Sequence, residues 1–416
     1  MWISNVRAVT PDEVLEAAAV RVEGGRIAEL RAAGAAGPAP GEPVHDGEGR
    51  TLLPGFLDLH NHGALGSDFM DGEAGTLEKM SRFLARHGVT GFLATTTSAP
   101  AATLSDRIGL ARDRIAAGLG GAQCLGLHLE GPYLNPSLAG MHPAGHCRHP
   151  DPGEYAPWFA GGIVRRMTAS LELPGGEGLL ADAGAAGVLL SLGHTNCTAE
   201  DVRRWADAGL RHVTHLYNTM SRAEKRGGPV RICGCVEGAL AEPRITCEVI
   251  GDGHHVPEHL FRVAALCKGA GGITICSDAT LLTGAVAEGV PTRYGGPEGQ
   301  ELVVRDGRAV SLDGTMLVGS IATLGDMVAR LLAWLDGDWR ALARTMSTNA
   351  AALIGLGETK GRIQPGCDAD LVLVDDAGRV AQSWVAGIPQ IGVPGVTGAG
   401  GAAPDAPLTR TQEPRR

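Results

Sequence analysis

The sequence predicts an α/β fold: a (β/α)8 TIM-like barrel with a small β-sandwich domain formed by both chain ends. Three observations carry this. Eight short apolar runs alternate with helical patterns between residues 54 and 358, both ends read as strands and turns, and histidines and carboxylates recur where the runs end. Eight such units favour a closed barrel over an open sheet.

The elements follow in order. Residues 1–53 form the N-terminal part of the β-sandwich, with "WISNVRAVT" and "AAVRVEGGRIAEL" as strands and Gly24-Gly25 as a hairpin signal. "GAAGPAPGEP" is a loop. The barrel strands are then "GFLDLH", "GFLATTTS", "CLGLHLEG", "VRRMTASLE", "GVLLSLGHT", "RHVTHLYN", "ITCEVIGDG" and "GITICSDA". These runs are nearly continuous in apolar residues, as parallel strands covered on both faces must be. Amphipathic stretches such as "GTLEKMSRFLARHG" and "AEDVRRWADAG" supply helices between them. Residues 359–393 return to strands and complete the sandwich, and residues 394–416, rich in Gly, Pro and Ala, read as a flexible tail.

Composition narrows the function classes. With 44% apolar and 20% charged residues, the chain has an ordinary globular composition. Its net charge of −10 disfavours nucleic acid or an anionic membrane as a partner. No apolar run is long enough to span a bilayer, and the N-terminus carries no signal segment. Nine scattered cysteines, an odd number, read as reduced thiols in a cytoplasmic protein. The close pair Cys233 and Cys235 is weak evidence for a metal or redox role.

Barrel active sites sit at the C-terminal ends of the strands. There the first run ends in His60 and His62, the third in Glu130, the fifth in His194, and the sixth in His215 followed by Asn218. The seventh leads to Asp252 and His255, and the eighth to Asp278. Residues two apart on a strand share a face, so His60 and His62 can address one centre. Isolated buried imidazoles and carboxylates would each need a partner, and one divalent cation satisfies them together. Imidazole plus carboxylate suits Zn²⁺ first, with Fe²⁺, Co²⁺ or Mn²⁺ also compatible, one or two ions per chain. For His87, His146, His149 and His212 an ordinary packed role is the expectation. His128 shares a strand face with Glu130 and reads as a neighbour of the ligands.

"PGFLDLHNHG" resembles the opening signature of the amidohydrolase superfamily. Together, "LGLHLEGPYLNPSLAGMHP", "SLGHTN", "THLYNTM", "GDGHHV" and "CSDAT" resemble the N-acetylglucosamine-6-phosphate deacetylase family, in the same order and at similar spacing across residues 50 to 370. The resemblance implies a barrel with a β-sandwich and metal-dependent hydrolysis of an N-acetylated amino-sugar phosphate. It implies Glu130, His194 and His215 as the main ligands, with His60, His62 and Asp278 as a second set and Glu130 bridging. Asp278 would be the catalytic base. His142 would contact the amide carbonyl, Asn218 and Thr219 would lie near the phosphate, and His255 near the sugar. A homodimer is also implied. The chain departs from the family at "KRGGPVRICG", where "REPG" is usual, so Arg231, with Arg226 second, becomes the candidate phosphate cation. The alternative is the same chemistry on another N-acyl sugar or an N-acyl amino acid. Ring-amide hydrolysis is disfavoured because the fourth run offers Glu172 and no lysine. A non-catalytic scaffold is disfavoured because every expected ligand position is filled.

Overall fold

The computed structural model describes residues 1–390 except 33, 35–38, 40, 226, 227 and 286. Arg226 and the tail 394–416 therefore lie outside the described residues.

Five strands open the chain: β1 (Trp2–Val9), β2 (Val14–Glu23), β3 (Arg26–Arg31), β4 (Val44–Asp46) and β5 (Thr51–Pro54). The barrel strands follow as β6 (Phe56–Asn61), β7 (Val89–Thr96), β8 (Gln123–Glu130), β9 (Val164–Ala169), β10 (Leu189–Leu192), β11 (His212–Val213), β12 (Thr246–Ile250) and β13 (Ile273–Cys276). A three-stranded antiparallel unit comes next, β14 (Thr292–Tyr294), β15 (Gln300–Arg305) and β16 (Arg308–Ser311), in a stretch to which the sequence reading assigned no element. The last strands are β17 (Leu371–Val374), β18 (Val380–Val385) and β19 (Ile388–Gln390).

The two chain ends share one sheet in the order β19-β18-β17-β5-β1-β2-β3, with β4 added on β1. Its seam is the antiparallel pairing of Leu52 with Leu373. Ile3, Val6, Val20, Leu371 and Trp384 form its apolar filling. Gly24 and Gly25, both at positive φ, turn β2 into β3 as expected.

β6 to β13 pair in parallel, each with its sequence neighbour. β13 returns to β6 through a parallel bridge between Asn61 and Ala279 and the bond from Asp278 N–H to His60 O at 3.0 Å, which closes the barrel. Every residue of β6 and β7 is buried, since helices cover the outside and the opposite wall covers the inside. Helix Thr76–Arg86 shows the outer packing: Leu77, Met80, Ser81, Leu84 and Ala85 are buried at helical spacing. Helix Ala199–Asp207 starts where Thr198 and Asp201 form a reciprocal capping box, directly after the loop that carries His194.

The sixth run, read as eight residues, is extended only over His212 and Val213. Beyond them the chain coils, with His215, Tyr217 and Thr219 at φ of 28°, 79° and 46°. The barrel interior is also more polar than the apolar runs imply. Arg166 on β9 and Glu248 on β12 are fully buried inside it.

Candidate metal centre

Glu130, the last residue of β8, is the hub. Its Oε1 lies 3.2 Å from His194 Nε2 and 3.1 Å from His215 Nε2. Its Oε2 lies 3.3 Å from both His60 Nε2 and His62 Nε2, and 3.2 Å from His142 Nε2. Asp278 Oδ1 lies 3.4 Å from His60 Nε2 and 3.2 Å from His62 Nε2. Two compact donor sets result: Glu130, His194 and His215, and beside them His60, His62 and Asp278.

The hydrogens on the imidazoles test whether these sets fit a cation. His194 Nδ1 donates to Leu138 O at 2.7 Å, so its Nε2 presents a bare lone pair to Glu130. His60 Nδ1 donates to Glu248 Oε1 at 3.0 Å, which aims its Nε2 at the centre. Burial would lower His60, but the Glu130, Asp278 and Glu248 carboxylates hold it well above its ordinary value, so without an ion this nitrogen carries a proton that a cation would displace. Nitrogen faces nitrogen at 3.2 Å in both sets, His194 against His215 and His60 against His62. Two bare lone pairs this close repel, so each contact needs a positive charge between the nitrogens: a cation, or, between His60 and His62 in the chain without ions, a proton. Zn–N distances of about 2.0–2.1 Å put adjacent tetrahedral ligands about 3.3–3.4 Å apart, and the observed separations match. The residues therefore fit a divalent ion.

His142 is built differently. Its Nδ1 accepts from the Ser98 backbone N–H at 2.9 Å, which leaves the hydrogen on Nε2. It is a donor at the edge of the centre. Burial pushes its pKa down to about 4, against the pull of Glu130, so it is neutral at pH 7.

The carboxylates and imidazoles shift one another's protonation. Burial alone would raise the Glu130 and Asp278 carboxyls, but the surrounding imidazoles hold both below their ordinary values. Burial would lower His62, and the Asp278 and Glu130 carboxylates instead carry it to about 9. His215 is depressed, by burial first. The chain without ions thus offsets its carboxylates partly with protons.

Backbone strain marks the same residues. His194, His215 and Asp278 sit at φ of 50°, 28° and 48°, a region non-glycine residues rarely adopt. Neighbours hold them there: Ser170 Oγ donates to His194 O at 2.7 Å, and Ser320 N–H to Asp278 O at 2.6 Å. Gly319 lies so close that a Cβ there would come 2.8 Å from Thr280 Cγ2, beside the Asp278 carbonyl.

The other predicted residues lie as follows. His255 is nine-tenths buried and donates from Nδ1 to Asp252 Oδ2 at 2.7 Å, near enough to Asp278 to feel its charge. Asn218 Nδ2 donates to the carbonyls of His215 and Leu216, so its amide group braces the loop. Thr219 keeps a buried hydroxyl without a partner among the described residues. Arg231 is exposed on a short hairpin paired with Lys225. His128 lies between the Thr95 and Thr168 hydroxyls and edge-on to His60, outside both donor sets. His87, His146, His149 and His212 also stand apart from them. Glu172 takes bonds from Asn135, Thr195 and Asn196 and ties two loops together.

Four participants were not found from sequence. Ser98 sets the His142 tautomer through its backbone and left no sequence signal. Tyr294 lies edge-on to His62, ring centroids 5.4 Å apart, and comes from the unassigned β14. Glu248 and Arg166 do carry a signal in the sequence, a charge inside an apolar run.

A parallel barrel whose strand ends gather four histidines and two carboxylates, with a fifth histidine on a loop beside them, defines a class, the metal-dependent barrel hydrolases. The amidohydrolase family model matches residues 51–393, and the chain belongs to that family. It is 33% identical over 383 residues to the N-acetylglucosamine-6-phosphate deacetylase of Bacillus subtilis (strain 168), covering 90% of this chain and 93% of that one. It is 29% identical over 384 residues to the N-acetylgalactosamine-6-phosphate deacetylase of Escherichia coli O157:H7, covering 92% and 97%. Among solved structures, the N-acetylglucosamine-6-phosphate deacetylase of Pasteurella multocida superposes with a TM-score of 0.85 at 26% identity, covering 93% and 98%. An aspartate-to-alanine variant of the Mycobacterium smegmatis enzyme, in complex with N-acetyl-D-glucosamine-6-phosphate, gives 0.84 at 27% identity, covering 94% and 99%.

Proposed function

We propose that this chain removes the N-acetyl group of an amino-sugar phosphate by hydrolysis, with N-acetylglucosamine 6-phosphate as substrate and glucosamine 6-phosphate and acetate as products. One observation carries the reading: around Glu130, the bare His194 nitrogen and the converging His215, His60 and His62 nitrogens, suited to a cation, stand beside one N–H donor, His142, suited to a carbonyl. A divalent ion supplies Lewis acidity, which polarises a carbonyl and makes water reactive near neutral pH. The remaining roles belong to side chains. Glu130, His194 and His215 hold the ion, with His60, His62 and Asp278 available for a second. His142 Nε2–H donates to the acetyl oxygen as negative charge develops there. Asp278 accepts a proton from the attacking water and returns it to the departing amine. His255 addresses the sugar, and Asn218, Thr219 and Arg231, with Arg226, address the phosphate.

The same proposal includes Zn²⁺ as the ion, a homodimer and a cytoplasmic setting. The mixed nitrogen and oxygen donors support Zn²⁺. The nine free cysteines support a reducing compartment. Leu260, Val263 and Leu266, exposed on helix Glu258–Lys268, support a second copy as partner.

A second reading, hydrolysis of another N-acyl sugar or an N-acyl amino acid, rests on "KRGGPVRICG" standing where the family carries "REPG". Acetate release from N-acetylglucosamine, its 6-phosphate and N-acetylgalactosamine 6-phosphate separates the two. We expect N-acetylglucosamine 6-phosphate to be preferred, and Arg231→Ala to raise KM for the two phosphorylated sugars but not for N-acetylglucosamine. Equal rates with and without the phosphate would favour the second reading.

A further inference from the structure

Beneath the second donor set lies a buried ion pair that the proposed chemistry does not use. Glu248, at the middle of β12, and Arg166, on β9, are each 0% exposed inside the barrel. Glu248 Oε2 meets Arg166 Nη1. Glu248 Oε1 accepts three hydrogens: from Arg166 Nη2 at 2.9 Å, from His60 Nδ1 at 3.0 Å and from the His215 backbone N–H at 3.2 Å. Arg166 also donates to Thr214 Oγ1 at 3.0 Å and Ser191 Oγ at 3.4 Å.

A buried ion pair contributes little net stability, because desolvation offsets attraction. What this pair does contribute is geometry. One carboxylate oxygen grips the outer nitrogen of His60 in one donor set and the backbone of His215 in the other. A carboxylate on the outer nitrogen of a ligating imidazole fixes its tautomer and raises its basicity. Among the described residues no other ligand imidazole has such a partner: His194 has a carbonyl, and the outer nitrogens of His62 and His215 have none. Cys276 Sγ also lies within 4.8 Å of His60 and Glu248, but the His60–Glu248 bond uses the atoms an ion would need there.

We infer that Glu248, held by Arg166, is the positioning residue that makes the His60–His62–Asp278 set competent to take a second ion at a fixed place beside the first. This rests on the reading that both donor sets bind ions.

The test uses the full chain titrated with Co²⁺, with ion content and the visible absorption of each site as readouts. Two variants are needed, because Glu248→Gln alone leaves Arg166 unpaired in the interior. Glu248→Gln/Arg166→Met removes both charges. We expect wild-type protein to take up two ions. We expect both variants to hold one ion as wild type does and to bind the other about 10–100-fold more weakly. Two ions bound with wild-type affinity in the double variant would overturn the inference. So would equal weakening of both ions, which would make the pair a packing element. A wild-type protein that saturates with one ion would overturn the two-ion reading and this inference with it.

Discussion

His142 and His194 meet edge to face, ring centroids 4.9 Å apart, with their hydrogens on opposite nitrogens. Ser98 N–H donates to His142 Nδ1, and His194 Nδ1 donates to Leu138 O. One backbone donor and one backbone acceptor thereby turn two neighbouring imidazoles into an N–H donor and a bare ligand. We expect His142→Ala to keep its ion content and lose about 10²–10³ in kcat, the usual effect of removing one donor to a developing oxyanion. His194→Ala should lose the ion held with Glu130. Ion analysis and kinetics on the same preparations check this; loss of the ion from His142→Ala would show that His142 is a ligand.

Asp278 sits where it can accept a proton, its carboxyl held below the ordinary value by His60 and His62 despite burial. It is therefore a carboxylate at neutral pH. Asp278→Asn keeps a ligating oxygen but cannot take up a proton. Turnover should fall about 10²–10⁴-fold, the usual span of general acid–base catalysis, while the ion at Glu130 and substrate binding persist. Near-normal turnover would remove Asp278 from the base role.

His212 offers a pH dependence outside the centre. Its Nδ1 meets Thr246 Oγ1 at 2.7 Å inside the barrel wall. Burial first, then the Arg166 charge, pushes its pKa down to about 3, against the pull of Glu248 and a Thr246 backbone bond. The unfolded chain takes up this proton near pH 6.5 and the folded chain only near 3. The stability from keeping His212 neutral is thus fully present above pH 6.5 and is lost as pH falls towards 3. The slope is about 1.4 kcal/mol per pH unit for one proton. Denaturant unfolding from pH 7 to 4 should be flatter for His212→Gln by that amount; an unchanged slope would mean that His212 is protonated in the folded state.

Much of this architecture is legible in the chain itself. Strand and helix alternation survives in the apolar pattern because parallel strands are covered on both faces. His60 and His62 survive as a pair because strand periodicity is two. What was missed depends on contacts across the barrel. Glu248 meets Arg166 from 82 residues away, and neither the pairing nor the inward direction shows in a local window. The His142 tautomer depends on a backbone N–H 44 residues earlier. The sixth strand is shorter than the run "RHVTHLYN" predicts, because His215 bends into the left-handed region, which local sequence does not show.

The most direct measurement pairs ion content with acetate release from N-acetylglucosamine 6-phosphate, in Zn²⁺-loaded wild-type protein and in Glu130→Gln. Wild type should release acetate with at least one ion bound. Glu130→Gln, which weakens the shared ligand of both donor sets, should lose ion and activity in the same proportion. Wild-type acetate release from an ion-free Glu130→Gln protein would contradict a cation held at the strand ends.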